Sequence, residues 1–163
     1  MRAMDDILLT PLDKVQRGEK RRKMAGKILL EVVTPEKQLL SLQVDEVIAP
    51  GSEGEFGVLP GHCHFLSTLR IGELRYRVDG QAHSMAVLWG FAEVTPTKVT
   101  VMAEVAERAE DIDVERATAK VTEAERRLQA GGLPSEVKEA QISLEKARLR
   151  KKIAERSQKT GHA

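Results

Sequence analysis

Three groups of side chains have types and spacings that could do chemistry. His62-Cys63-His64 is the one cluster of potential metal ligands. In an extended strand His62 and His64 face one side and Cys63 the other. Two converging ligands are fewer than a catalytic zinc takes, and nothing in the sequence brings His83 close. His62 is therefore read as part of a Pro60-Gly61-His62 turn, and no metal is expected. The second group lies in Gly51-Ser52-Glu53-Gly54-Glu55-Phe56-Gly57-Val58-Leu59, which carries two carboxylates between glycines. Glycine adopts backbone conformations that other residues resist, so a fixed, irregular surface loop is expected over 51–62. Carboxylates on such a loop suit gripping basic or amide groups of a partner. The third group is Lys146, Arg148, Arg150, Lys151, Lys152 and Arg156, set against Glu145 and Glu155. It reads either as a solvated face or as a surface for an acidic partner. No nucleophile elbow, phosphate loop or metalloprotease helix is present, so the chain is not expected to be an enzyme.

Two kinds of element must position these groups. Apolar, β-branched stretches over 28–34, 42–48, 74–78, 85–94 and 99–102 predict short strands. Pro35, Pro50-Gly51 and Pro96 punctuate them, and Asp79-Gly80 predicts a tight hairpin turn. After Glu110 the period changes. Val114, Ala117, Val121, Ala124 and Leu128 recur at spacings of three and four, which predicts a helix with one apolar face. Asp111 or Asp113 can cap it, Gly131-Gly132 ends it, and Pro134 opens a second helix running to about Arg156. Val137, Ala140, Leu144 and Ala147 form that helix's seam. By content the chain is α+β: an N-terminal all-β sandwich over 26–108, then an antiparallel two-helix hairpin over 109–163 with a basic end. Three Val/Leu side chains on the first seam are few for ordering so much chain, so the hairpin must lean on the sandwich, a partner or a ligand.

Composition narrows the functions further. In 163 residues, 26 basic side chains nearly balance 25 acidic ones, and aromatics are only 3%. Electrostatic or stacking capture of nucleic acid is therefore not expected. One cysteine rules out an internal disulfide and fits a reducing compartment. No apolar run reaches the length of a membrane span. Residues 1–25 carry Asp5, Asp6 and Asp13 and only a brief apolar run, Ile7-Leu8-Leu9, so they match neither a secretory signal nor a transit peptide. They read as an extension: an early gene start with Met24 as the alternative, a frayed basic tail, or an arm for anionic lipid or an acidic partner.

From about residue 26 to 156 the layout resembles the epsilon subunit of F-type ATP synthases. The resemblance rests on Gly51-Ser52-Glu53-Gly54-Glu55-Phe56-Gly57-Val58-Leu59-Pro60-Gly61-His62, followed at the right separation by Asp111-Ile112-Asp113-Val114-Glu115-Arg116-Ala117. It implies a non-catalytic central-stalk subunit that couples ion translocation to ATP synthesis. The implied partners are the gamma subunit, the c-subunit ring and, through extended C-terminal helices, the alpha/beta catalytic head. The implied location is peripheral, on the cytoplasmic face of a bacterial membrane, with the membrane reached only through the complex. Glu55 matches the family's c-ring contact, with Glu53, Phe56 and His62 beside it. The implied inhibitory face is Arg148, Arg150, Lys151 and Lys152, which would meet an acidic segment of the beta subunit and restrain ATP hydrolysis.

The resemblance also implies a regulatory nucleotide site and no required cofactor. By position, Glu107, Asp113, Arg116 and Arg150 keep the family's residue types, while Lys146 replaces an arginine and so loses its fork geometry. Glu123 stands where ATP-binding members carry an arginine, and a carboxylate there is expected to repel phosphate. ATP is accordingly expected to bind weakly. The alternative is a free-standing adaptor that binds acidic partners through its basic hairpin.

Overall fold

Eight strands and two helices form in the computed structural model, which describes residues 26–160. The expectations for residues 1–25, and for the chain beyond 160, fall outside that range. β1 (Ile28–Val33) alternates cleanly, with Ile28, Leu30 and Val32 buried. Thr34 and Lys37 close the turn into β2 (Gln38–Val44) by mutual hydrogen bonds. The single strand expected over 42–48 is in fact two, because the chain turns at Asp45 into β3 (Glu46–Gly51). Asp45 holds that corner, its N–H bonding the Arg77 carbonyl (2.7 Å) and its carboxylate accepting the Gly80 N–H (3.0 Å).

The expected irregular loop over 51–62 is also more ordered than its glycines suggest. Gly54–Val58 forms β4, an antiparallel partner of β3. Gly54 takes a positive φ of 139° after the Ser52-Glu53 tip, a conformation open to glycine at little cost. Beyond it, the Gly61 N–H bonds the Pro96 carbonyl and the His62 N–H bonds that of Leu59, fixing the Pro60-Gly61-His62 turn.

β5 (Phe65–Leu69), β6 (Gly72–Val78), β7 (Gln81–Val94) and β8 (Lys98–Arg108) complete the sandwich. Asp79 and Gly80 both take positive φ and join β6 to β7 tightly, as expected. Along the hydrogen-bonded path the order is β2-β1-β8-β7-β5-β3-β4, with β6 bridging β3 and β7. Among the described residues only β1 and β8 run parallel. β7 serves both layers: residues 81–87 pair with β6, and residues 90–94 pair with β5. The change of direction falls at Trp89 (φ 56°) and Gly90 (φ 130°).

A 3-10 turn (Ala109–Asp111) leads into α1 (Val114–Ala130). Asp113 caps α1, its Oδ1 accepting the Arg116 N–H at 3.0 Å. Gly131, at φ 69°, ends it, and the Leu133 N–H is capped by Glu136 as α2 (Pro134–Thr160) begins. α2 runs four residues past the expected end at Arg156. The hairpin seam differs from expectation in kind: the buried residues are Ala117, Ala124, Ala140 and Ala147, while Val114, Val121 and Leu128 are only half-buried. Small side chains let the helices approach closely but remove little apolar area from water. α1 packs chiefly on α2, and α2 alone leans substantially on β7, the 3-10 turn and β6.

The bend in β7 generates a sharp test. A Cβ at Gly90 would lie 2.0 Å from the Met102 carbonyl oxygen, and the positive φ adds strain. Gly90→Ala is expected to cost at least about 3 kcal/mol of sandwich stability, read by chemical denaturation. A loss under about 1 kcal/mol would mean that the bend relaxes freely.

Candidate functional site

Where α1 and α2 meet the end of β8 they enclose a cavity of about 340 Å³. That volume lies at the lower end of the range, roughly 300–1,000 Å³, used for small molecules. Glu107 comes from β8, Asp111 and Ile112 from the turn, and Asp113 from the helix cap. Arg116, Ala117 and Lys120 project from α1, and Ser143, Lys146, Ala147 and Arg150 from α2. The helical period explains this convergence: Arg116 and Lys120 are one turn apart, as are Lys146 and Arg150. Glu107, Asp113, Arg116, Lys146 and Arg150 therefore surround one space although they are scattered over more than forty positions. Lys120, Asp111 and Ser143 were not anticipated. The first could have been found as the residue one turn beyond Arg116.

The charges are not idle. Arg150 Nε lies 2.5 Å from Glu107 Oε2, with a longer second contact of 3.4 Å from Nη2 to Oε1. The Lys146 ammonium stands 4.4 Å from the centre of the Trp89 ring, within cation–π range. Glu123 does not line the cavity. Its carboxylate accepts a 2.8 Å hydrogen bond from Lys120, which holds its pKa below the usual glutamate value. Glu123 thus faces Lys120 rather than the cavity, and its charge offsets that of one lining lysine. Four cations facing three carboxylates can grip an anion at one side and hydroxyl groups at the other.

The 51–62 region presents its groups on two faces. Neighbouring residues of a strand point oppositely, and Glu55 turns to Arg75 of β6 at 2.7 Å. Phe56 is half-buried, edge-on to Phe65 with ring centres 5.1 Å apart, and the His62 ring lies 6.4 Å from Phe65. Glu53 is exposed at the β3–β4 tip. The Phe65 neighbourhood was missed because β5 follows directly on the histidine cluster and resembles a loop. Across β5, β7 and β8, Leu66 (68% exposed), Phe91 (52%) and Met102 form an apolar outer face that sequence reading did not single out. Among the described residues no group of three His, Cys, Asp or Glu side chains is placed to hold a metal ion.

Three of the four side chains of the basic face are in ion pairs. Arg148 pairs with Glu125 of α1 at 2.8 Å, and Arg150 with Glu107. Lys151 stands 3.9 Å from Glu155, and Lys152 is exposed. Sequence reading also missed Glu73, a buried carboxylate on β6 that receives Arg156.

A sandwich with partner-ready surfaces and a hairpin held largely by polar contacts defines a two-part accessory subunit. Residues 27–109 match the family described as ATP synthase, Delta/Epsilon chain, beta-sandwich domain. Residues 110–155 match its long alpha-helix domain. The ATP synthase epsilon chain of Syntrophobacter fumaroxidans is 52% identical over 134 residues, covering 82% of this chain and all of the relative. That of Citrifermentans bemidjiense is 51% identical over 134 residues, covering 80% of this chain and 96% of the relative. A chain in the cryo-EM structure of Euglena gracilis mitochondrial ATP synthase (OSCP/F1/c-ring in rotational state 1) superposes with a TM-score of 0.68. It is 25% identical, and the match covers 76% of this chain and 78% of that one. The chain belongs to the epsilon-chain family of F-type ATP synthases, whose members are non-catalytic subunits. A free-standing adaptor is not favoured. Among the described residues no helix is long and apolar enough to cross a membrane.

Asp113 has two separable roles, cap and cavity wall. Asp113→Ala is expected to cost about 1 kcal/mol of hairpin stability, whereas Asp113→Asn, which still caps, should cost much less. Chemical denaturation followed by helical circular dichroism reads both. Equal losses would show that the charge, rather than the cap, holds the helix end.

Proposed function

We propose that this chain is a rotor subunit of the central stalk that couples ion translocation through the c-ring to ATP synthesis and restrains hydrolysis through its hairpin. The observation that carries the switching part is the way the hairpin is attached. Among the described residues only Ala86, Ala109 and Ile153, with Ile112 and Leu149 beside them, form an apolar cluster between helix and sandwich. Polar pairs supply the rest, so release exposes little apolar surface. The hairpin is a unit that can leave without unfolding the sandwich.

In this reading Glu55, Glu53 and the Phe56–Phe65–His62 cluster meet the polar loops of the c-ring. The apolar outer face of Leu66, Phe91 and Met102 is covered by the gamma subunit, because an exposed apolar patch marks an interaction site. Extension of the hairpin frees Arg150 from Glu107 and, where the two helices part, Arg148 from Glu125, and offers them, with Lys151 and Lys152, to acidic groups of the catalytic head. The chain works as a peripheral subunit on the cytoplasmic face of a bacterial membrane, held there through the complex.

The cavity takes ATP weakly, with its phosphates on Arg116, Lys120, Lys146 and Arg150 and its nucleoside toward Glu107 and Asp113. Weakness follows from the geometry, since Arg150 must loosen its pair with Glu107 to serve phosphate, and Lys146 lacks a fork. Arg150→Ala is expected to lower ATP affinity about tenfold, the worth of one charge-assisted hydrogen bond. Calorimetric titration checks this, and unchanged affinity would place the phosphates elsewhere.

The decisive experiment compares ATP hydrolysis by the assembled complex carrying the full chain with one whose chain stops at Glu110. Faster hydrolysis at equal subunit content is the expected outcome. Equal rates would leave the chain a coupling element alone.

A further inference from the structure

Among the hairpin's polar anchors one differs in kind. Arg148–Glu125 and Lys151–Glu155 lie within the hairpin, and Arg150–Glu107, the other ion pair to the sandwich, is partly solvated, its side chains 27% and 36% exposed. Glu73, by contrast, is only 7% exposed, the one buried charged side chain of the described residues. It stands on the outer face of β6, directly opposite Ala86 of β7. Ala86 lies beneath Ile153 of α2, itself 1% exposed, so α2 is what covers this face. Two donors converge on a single oxygen of Glu73: the Ser84 hydroxyl at 2.7 Å and Arg156 Nη1 at 2.8 Å. Ser84 shares the Glu73 face on β7, and Arg156 follows Ile153 by three residues, on the same side of the helix.

The arrangement is asymmetric. Arg156 is about half exposed and stays hydrated whether or not the helix is down, whereas the Glu73 carboxylate is dehydrated by the helix itself. Docking in any register that does not deliver a cation would bury a charge against one hydroxyl, which is strongly unfavourable. Helix release returns the carboxylate to water without penalty. The alanines buried along α2, Ala140, Ala147 and Ala154, recur every seven residues, so that spacing alone admits a slide of two turns, which would set Leu149 in the place of Arg156. A buried ion pair is better suited to choosing among registers than to adding net stability.

We propose that Glu73, with Ser84, is a register lock for the hairpin: it admits α2 onto the sandwich only when Arg156 is in place. It thereby sets the balance between the docked and released forms, a role that rests on the switching proposed above. The lock makes a prediction that a simple attractive contact does not. Removing Arg156 alone must hurt docking more than removing both charges.

The test is amide hydrogen exchange of α2 residues 146–157 in the free full-length chain, with β6 amides as the internal control for sandwich folding. Arg156→Ala is expected to raise exchange about tenfold, and Glu73→Gln in the same chain to recover most of that loss. Arg156→Ala within twofold of the parent chain would overturn the lock, as would a double variant as loose as the single one. If β6 exchange also rises in the Glu73→Gln variants, Ser84→Ala with and without Arg156→Ala repeats the comparison from the donor side. In that case removing Ser84 must deepen the Arg156→Ala effect, and a merely additive result would overturn the lock. Exchange reads docking in the isolated chain, whereas hydrolysis by the complex reads switching. Loosened helices with unchanged hydrolysis would therefore support the lock while refuting the switch.

Discussion

Everything in this molecule is arranged around the bend of β7 at Trp89-Gly90. A strand of fourteen residues cannot pair with β6 along its first half and β5 along its second without changing direction. The change needs a residue whose Cβ is missing, because the Met102 carbonyl fills the space where one would sit. The bend also divides the outer surface. Before it lie Ala86 and Ser84, which receive the helical hairpin; after it lies Phe91 on the apolar face left open. Trp89 stands at the junction and carries Lys146 of α2 over its ring. One irregular dipeptide thus separates the surface used by the hairpin from the apolar surface left open. Strands with a local kink commonly mark such functional junctions.

The hairpin follows a different logic from the sandwich. The sandwich buries large aliphatic side chains such as Leu30, Leu74, Met85 and Leu88 almost completely. The hairpin buries mainly alanines, and Ile153 is its one large side chain sealed from water. With so little apolar area at stake, ion pairs decide where the helices rest even though each contributes modestly. Arg150 and Arg156 tie α2 to the sandwich through Glu107 and Glu73, while Arg148 ties it to α1. In the proposed extended form Arg150 would exchange Glu107 for an acidic partner, so ionic strength and partner access would shift the balance.

Legibility in the sequence followed the range of the interactions. Asp79-Gly80, Asp113 and Gly131 act on their own neighbours, and their turns and caps are readable from residue type alone. The break at Asp45 was not, because it depends on hydrogen bonds to Arg77 and Gly80 more than thirty positions away. β4 was hidden by its glycines, which suggested a loop where β3 in fact supplies a partner. The alanine seam reversed a reasonable assumption, since hydrophobicity favours Val121 and Leu128 for burial while close helix approach favours Ala117 and Ala124. The residues around the cavity came together through family resemblance rather than through spacing, because β8 and the two helices meet only in three dimensions. Glu73 had no signal at all: its partner lies 83 positions away, and a glutamate on a strand ordinarily means solvent.

The placement of the cavity adds a constraint of its own. Ten of its eleven lining residues lie in the turn and the two helices, and Glu107 of the sandwich completes the wall, so the complete wall needs the docked hairpin. A ligand that also uses Glu107 would be held better by the docked form and would favour it by mass action. The shift it can produce is bounded by its differential affinity, and a weak ligand becomes effective only near or above its dissociation constant. Arg150 sharpens this limit. Its pair with Glu107 already stabilises docking, and a phosphate that draws it away loses part of what it gains. A strongly responsive sensor would leave that arginine unpaired; this chain spends it on the docked state. Its hairpin is accordingly governed first by its own internal charges, with Glu73 selecting the register, and only second by whatever occupies the cavity.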